Sequence, residues 1–239
     1  SVEVRENPSL AGKPVIIARH PKETGGRGVV ATASYEARTY GIHSAMSAQK
    51  AYELCPNGVF IRPNFELYRE TSKQMHNIFR RYTDKIQPLS LDEAYLDVST
   101  NYIEQKSATI IAQAIRRDVE KELRLTCSAG VSYNKFLSKI ASDFDKPNGI
   151  TVIPPEKSHE FLMALPIEKF HGVGAKSVEK MHSLNIYTGQ DLYKKDELDL
   201  VSHFGKMGHS LYRKVRGIDD SEVKNDREPK SIGKESTFS

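Results

Sequence analysis

Tryptophan is absent from this chain, and cysteine occurs only twice. Cys55 and Cys127 stand far apart, without CxxC spacing or a His-rich neighbourhood, which argues against a disulfide framework and against a zinc site. Cys127, within Leu125-Thr126-Cys127-Ser128-Ala129-Gly130-Val131, reads as a small core residue rather than a nucleophile. Long apolar runs are missing too. Nothing approaches the ~20 residues a bilayer-spanning helix needs, and Ser1-Val2-Glu3-Val4-Arg5-Glu6 has no signal-peptide anatomy, so the expectation is a cytosolic protein without a membrane partner. Charge of one sign is also in short supply. The net charge of +4 is compatible with a polyanionic partner but does not require one. From Pro154 onward 14 basic residues face 14 acidic ones, so any contact of that third with a polyanion must come from local geometry.

What is present is a globular composition, and 239 residues suffice for two or three compact units. Residues 13–18 and 28–33 read as strands around the loop 21–26, followed by a helix over 34–40 ended by Gly41, a second helix over 48–54 and a strand over 59–63. This is a small α/β unit. Residues 65–82 carry an imperfect helical stripe. Residues 85–88 and 94–98 form a hairpin, and 108–123 is an amphipathic helix with Ile111, Ala112, Ile115 and Val119 on one face. A strand over 125–131, a helix over 134–143 and a strand over 150–153 follow. Strands and helices without a regular βαβ repeat argue for an α+β layer with a largely antiparallel sheet. Pro154-Pro155 is the candidate boundary, with short Gly-punctuated helices beyond it and a charge-dense linker from 219 to 234.

Asp92 and Glu93 are the most informative residues. Neighbours in a regular strand face opposite ways, so two adjacent carboxylates converge only where the chain turns, as it does at this hairpin. Converging carboxylates repel unless a divalent cation joins them, and hard oxygens suit Mg²⁺. An arbitrary Asp-Glu pair is most often a solvated turn. Here Leu89, Leu91, Tyr95, Leu96 and Val98 surround the pair, so the carboxylates interrupt a segment otherwise suited to a core.

Ser90-Leu91-Asp92-Glu93-Ala94-Tyr95-Leu96-Asp97 resembles the metal-binding palm motif of Y-family DNA polymerases, and the DinB or polymerase IV branch most closely. Ala31-Thr32-Ala33-Ser34-Tyr35-Glu36-Ala37-Arg38 resembles the fingers motif that holds the incoming triphosphate. The second palm motif is matched by Ser128-Ala129-Gly130-Val131-Ser132-Tyr133-Asn134-Lys135, Lys139-Ile140-Ala141-Ser142-Asp143 and Lys146-Pro147-Asn148-Gly149. The resemblance implies a template-directed translesion polymerase using two Mg²⁺ ions, or Mn²⁺ in their place, with primer-template DNA and deoxynucleoside triphosphates as partners. Asp92 and Glu93 would be the catalytic metal ligands, while Thr32, Tyr35, Arg38 and Lys146 would hold the triphosphate. Tyr35 and Arg38 are three apart, so on a helix they share a face, and a hydroxyl with a guanidinium grips phosphate oxygens. Lys139 and Ser90 lie near the site without an assigned role, and Asp97 reads as structural.

Residues 165–184 resemble a helix-hairpin-helix with Gly172-Val173-Gly174 at its turn, where glycines let the backbone approach a phosphate and Lys176 adds a contact. The implied layout is a right-hand fold: fingers 1–64, palm 65–153, helical thumb 154–222, and linker 223–239 toward a little-finger domain. The family's first strand, with its first metal-binding Asp and the bulky residue that excludes ribonucleotides, has no counterpart, since Ser1-Val2-Glu3 resembles the position just past it. Residues 231–239 resemble the linker and the first little-finger strand. The expectation is therefore a monomeric fragment, nearly inactive alone, whose sliding-clamp contact would lie beyond residue 239. The competing reading is a catalytically silent DNA-binding module whose acidic hairpin is structural.

Overall fold

The computed structural model describes residues 1–225, so the readings placed on 226–239 lie outside the described residues. The chain divides into two compact units, Ser1–Met75 with Leu123–Leu125, and His76–Glu122 with the chain from Thr126 onward.

In the first unit, helix α1 (Val2–Glu6) is capped by the Ser1 hydroxyl, and Arg5 ties it down by donating to the Leu123 carbonyl and the Thr71 hydroxyl. All three side chains of strand β1 (Val15–Ile17) are buried. It is the middle strand of three, and a strand covered on both faces reads as a continuous apolar run rather than an alternation. Strand β2 (Thr32–Ala33) pairs antiparallel to it, with Ile16 opposite Ala33 and Ile17 opposite Thr32. Strand β3 (Val59–Ile61) pairs in parallel on the other side. Burying side chains such as Ile16 and Ile17 contributes roughly 1.5–3 kcal/mol each.

Around this sheet lie α2 (Pro21–Thr24), α3 (Tyr35–Arg38) and α4 (Ala48–Leu54). The Ser34 hydroxyl accepts from the amides of Ala37 (3.2 Å) and Val15 (2.9 Å), which starts α3 and fastens it to β1 at once. Gly41, at φ +81°, ends the segment. The helix expected over 34–40 is thus a single turn, and of the strand expected over 28–33 only the last two residues join the ladder. Helix α5 (Phe65–Phe79) follows.

In the second unit, β4 (Ile86–Pro88) and β5 (Ala94–Leu96) form the expected antiparallel hairpin, with Gln87 opposite Tyr95. Helix α6 (Ala108–Leu123) buries Ile111, Ile115 and Val119, the stripe its periodicity predicts. Strand β6 (Ala129–Ser132), helix α7 (Lys135–Phe144) and strand β7 (Ile150–Ile153) then form a crossover unit. A largely antiparallel sheet, the expectation for the layer as a whole, leaves the pairing of these two strands open. They pair in parallel, because α7 carries the chain back before the second strand begins. The strand starts at 129 rather than 125 because the Cys127 carbonyl is taken by Arg116 Nε at 2.9 Å. Cys127 is half-buried rather than a core residue, and desolvation pushes its thiol up, away from thiolate reactivity, with the Arg116 charge opposing weakly.

Helix α7 is capped by Asn134 and buries Phe136, Leu137, Ile140 and Ala141 on one face. Its other face carries Lys139 and Asp143. Beyond β7 come α8 (Pro155–Ala164), α9 (Ala175–Ser183), α10 (Gly189–Tyr193), α11 (Glu197–Phe204) and α12 (Lys206–Lys214). One core runs from the buried face of α7 through Leu162, Phe170, Met181, Leu192 and Leu211, with the Phe136 and Phe170 rings 5.8 Å apart. Residues 217–225, which run into the linker expected from 219, are pinned along α7 and β4. The Gly217 carbonyl accepts from Tyr133 and Asn134, Asp219 accepts from the Phe136 amide, and Asn225 accepts from the Ile86 amide.

Candidate active site

The turn between β4 and β5 is closed by the Glu93 carbonyl, which accepts from the amides of Leu89 (2.9 Å) and Ser90 (3.4 Å). This leaves Asp92 exposed and Glu93 half-buried at the hairpin tip. The Ser90 hydroxyl donates to Asp92 Oδ1 at 2.7 Å and accepts from the Asp92 amide, which fixes that carboxylate.

Lys139 reaches the tip from α7. Its ammonium donates to Glu93 Oε1 at 2.9 Å and to Asp143 Oδ2 at 3.2 Å. Asp143 Oδ1 in turn meets Lys146 Nζ at 2.5 Å. Four charges of alternating sign therefore stand in series from the hairpin to the Lys146-Pro147-Asn148-Gly149 turn. Burial pulls the Lys139 ammonium down, but the Glu93 hydrogen bond and the Asp143 charge outweigh it and leave the group above its ordinary value. Desolvation opposes ionisation of Asp143, yet the bond from Lys146 and the Lys139 charge hold its carboxyl below the usual range. Lys139 therefore stays charged, and Asp143 ionised, at neutral pH. Asp97 behaves as a structural residue: its carboxylate accepts from the Ser99 amide at 2.9 Å and faces Lys85 at 3.5 Å.

Thr32, Tyr35 and Arg38 belong to the first unit. Thr32 is exposed on β2, and Tyr35 and Arg38 are exposed on the one-turn α3. Arg38 is anchored through Nε to the Ala33 carbonyl at 3.1 Å, which orients the guanidinium while the described hydrogen bonds use none of its terminal nitrogens.

In the hairpin loop before α9, Gly172 sits at φ +93°, a left-handed conformation that costs glycine nothing. Gly174 is the N-cap of α9 and supplies no side chain, so the first amides of the helix, at Ala175 and Lys176, lack an intrahelical partner and lie at an exposed end. A side chain added at Gly174 would meet nothing within 4 Å, so the approach to these amides is open. Lys176 is exposed beside them. Between this loop and α7 lies a cavity of about 490 Å³ whose lining includes Ile140, Asp143, Phe144, Glu168, Phe170 and His171.

The structure thus links Glu93 to Lys146 through two residues that sequence reasoning left without a role, Lys139 and Asp143, while Asp92 is held by Ser90. The signal was the spacing: 139 and 143 are one helical turn apart, and 143 and 146 three residues apart. Among the described residues no group of three or more His, Cys, Asp or Glu side chains gathers to hold a metal ion.

Residues 1–143 match the impB/mucB/samB family, and residues 168–219 match the thumb domain of DNA polymerase-iota. Over 238 residues the chain is 60% identical to the DNA polymerase IV of Streptococcus pyogenes serotype M28 (strain MGAS6180) and to that of Lactococcus lactis subsp. cremoris (strain MG1363). These alignments cover 100% of this chain and 65% of each relative. Among solved structures, DinB from Sulfolobus solfataricus superposes with a TM-score of 0.86 at 31% identity, covering 94% of this chain and 65% of that one. An insertion ternary complex of Dbh DNA polymerase gives 0.84 at 31% identity, covering 94% and 66%.

Proposed function

The chain belongs to the impB/mucB/samB family, the DinB-type Y-family DNA polymerases, and we propose that it is the core of a template-directed polymerase that extends a primer 3′ end by nucleotidyl transfer, past damaged template bases. The observation that carries this reading is the Asp92-Glu93 pair at the hairpin tip, with Lys139 on Glu93 and Asp143 between Lys139 and Lys146. A silent DNA-binding module has no need of a half-buried carboxylate held by a shielded lysine, and nothing observed favours it.

The donor set fits Mg²⁺, a hard cation that protein sites commonly hold through one or two carboxylates with water and substrate phosphates completing its shell. Asp92 and Glu93 would hold it, and Mn²⁺ would substitute. When bound, such ions activate the primer hydroxyl and neutralise the leaving pyrophosphate. Ser90 orients the Asp92 carboxylate. Lys139 balances the charge of Glu93 until a cation arrives, so that two adjacent carboxylates persist in one turn without repelling each other. Thr32, Tyr35, Arg38 and Lys146 would bind the triphosphate, the last three through exposed hydroxyl, guanidinium and ammonium groups. The Gly172-Val173-Gly174 loop and Lys176 would receive a DNA phosphate at the start of α9 without reading sequence.

In this reading residues 1–64 act as fingers, 65–153 as palm and 154–222 as thumb, with 223–239 leading on toward a further domain. The protein works as a monomer in the cytoplasm, on primer-template DNA and deoxynucleoside triphosphates, with a sliding clamp as a further partner of the whole molecule. The test is single-nucleotide addition to a primed template. The chain is joined for this purpose to the segments of the Streptococcus pyogenes relative that lie outside the aligned region. Mg²⁺-dependent addition of the nucleotide complementary to the template base supports the reading. DNA binding with no addition, in Mg²⁺ or Mn²⁺, overturns it.

A further inference from the structure

Asp143 is the point at which two cations meet, 3.2 Å from Lys139 Nζ through one oxygen and 2.5 Å from Lys146 Nζ through the other. Lys139 is divided in the same way, since its ammonium also lies 2.9 Å from Glu93. Of the four side chains, that of Lys139 is the most shielded, with 13% of it exposed against 36–51% for Glu93, Asp143 and Lys146. A shielded ammonium cannot trade its partners for water cheaply, so it must be shared between the two carboxylates it touches. Charges in such a series are not independent. Whatever draws Lys146 off Asp143 leaves that carboxylate to Lys139, and an ammonium drawn toward Asp143 holds Glu93 less.

We propose that Asp143 is a positioning residue that couples the two ends of the site: a triphosphate arriving at Lys146 frees Asp143 for Lys139, and Lys139 then releases Glu93 to a divalent cation. The inference rests on the reading above, in which Lys146 meets the triphosphate and Glu93 the metal. Because linkage is reciprocal, a cation on Glu93 also favours the triphosphate on Lys146.

Removing the Asp143 carboxylate then has effects of opposite sign on the two ligands. Lys146 loses the anion that competes with a triphosphate, so nucleotide binds more tightly in the absence of metal. Lys139 keeps Glu93 as its sole partner of the two, so metal binds more weakly in the absence of nucleotide. A residue that merely keeps α7 folded would weaken both.

The experiment uses the full chain and Asp143→Asn. A fluorescent deoxyadenosine triphosphate is titrated in EDTA, and Mn²⁺ is titrated without nucleotide by the paramagnetic resonance of the free ion. The expected result is about threefold tighter nucleotide and about threefold weaker Mn²⁺, the scale of a partly exposed ion pair. Asp145→Asn removes the same charge two residues away, from a carboxylate with no ion pair among the described residues, and is expected to leave both affinities unchanged. Lys146→Gln is expected to weaken the nucleotide. Unchanged affinities in Asp143→Asn, both weakened, or the same response in Asp145→Asn would refute the coupling while the reading of the site stands. No effect of Lys146→Gln on nucleotide binding would remove the reading of Lys146 and the coupling with it.

Discussion

Replacing Gly130 by alanine tests how tightly the fold positions the candidate site. Gly130 lies in β6 under the backbone of α7, and an added Cβ would stand 2.0 Å from the Ser138 carbonyl oxygen, 2.3 Å from the Ser142 nitrogen and 2.9 Å from the Ala141 carbonyl carbon. Ordinary van der Waals contact begins near 3.4 Å, so strand and helix must separate by more than an ångström. No side-chain rotation relieves this, because the obstructing atoms are backbone. Separation would also lift Phe136, Leu137, Ile140 and Ala141 from the core they share with Leu162 and Phe170. Overpacking costs typically 1–3 kcal/mol, and the rigidity here places the change at about 3 kcal/mol or above. For a chain of this size that corresponds to a fall in Tm of about 6–12 °C. The assay is thermal unfolding followed by circular dichroism, with Mn²⁺ affinity measured on the folded variant. Because Lys139 rides on α7 and competes with a cation for Glu93, Mn²⁺ affinity should rise as the helix is displaced. A Tm within about 2 °C of the parent would refute the argument.

His76, buried in α5 edge-on to Phe79, is held below the ordinary imidazole value by burial and then by the Arg80 charge. A depressed value means that the folded state resists protonation, so its stabilisation is present above about pH 6.5 and is lost as pH falls below that. His76→Gln should flatten the decline of urea stability between about pH 7 and 5, and equal slopes for parent and variant would contradict this. Lys176→Ala should weaken DNA binding to a similar degree on every sequence and reduce the salt slope by about one. A loss confined to particular sequences would show that Lys176 reads bases instead.

Much of the fold was legible because its signals are local. The stripe of α6, the Asn134 cap of α7, the Ser34 and Ser47 caps in the first unit and the turn chemistry around Asp92-Glu93 each sit within a few residues of what they determine. What could not be read depends on distant partners. The parallel pairing of β6 with β7 is set by how α7 returns the chain, and the truncated start of β6 by an arginine on another helix that claims the Cys127 carbonyl. Residues 219–225 read as part of a charged linker, since half of their anchors are backbone atoms, such as the Glu222 carbonyl that accepts from Lys135, and these leave no trace in composition. At the site, Asp92, Glu93 and Lys146 were named from their motifs. The role of Asp143 emerged from distances, because a carboxylate on the exposed face of a helix looks in sequence like any solvated charge.

The central claim is that Asp92 and Glu93 form the metal-dependent centre of a polymerase. It is tested most directly by Mg²⁺-dependent primer extension with Asp92→Ala, Glu93→Ala and Asp97→Ala side by side, each in the chain joined to the remaining segments of its Streptococcus pyogenes relative. Loss of extension in the first two by about two orders of magnitude or more, with the third remaining active, is the predicted result. Extension that survives both Asp92→Ala and Glu93→Ala would contradict it.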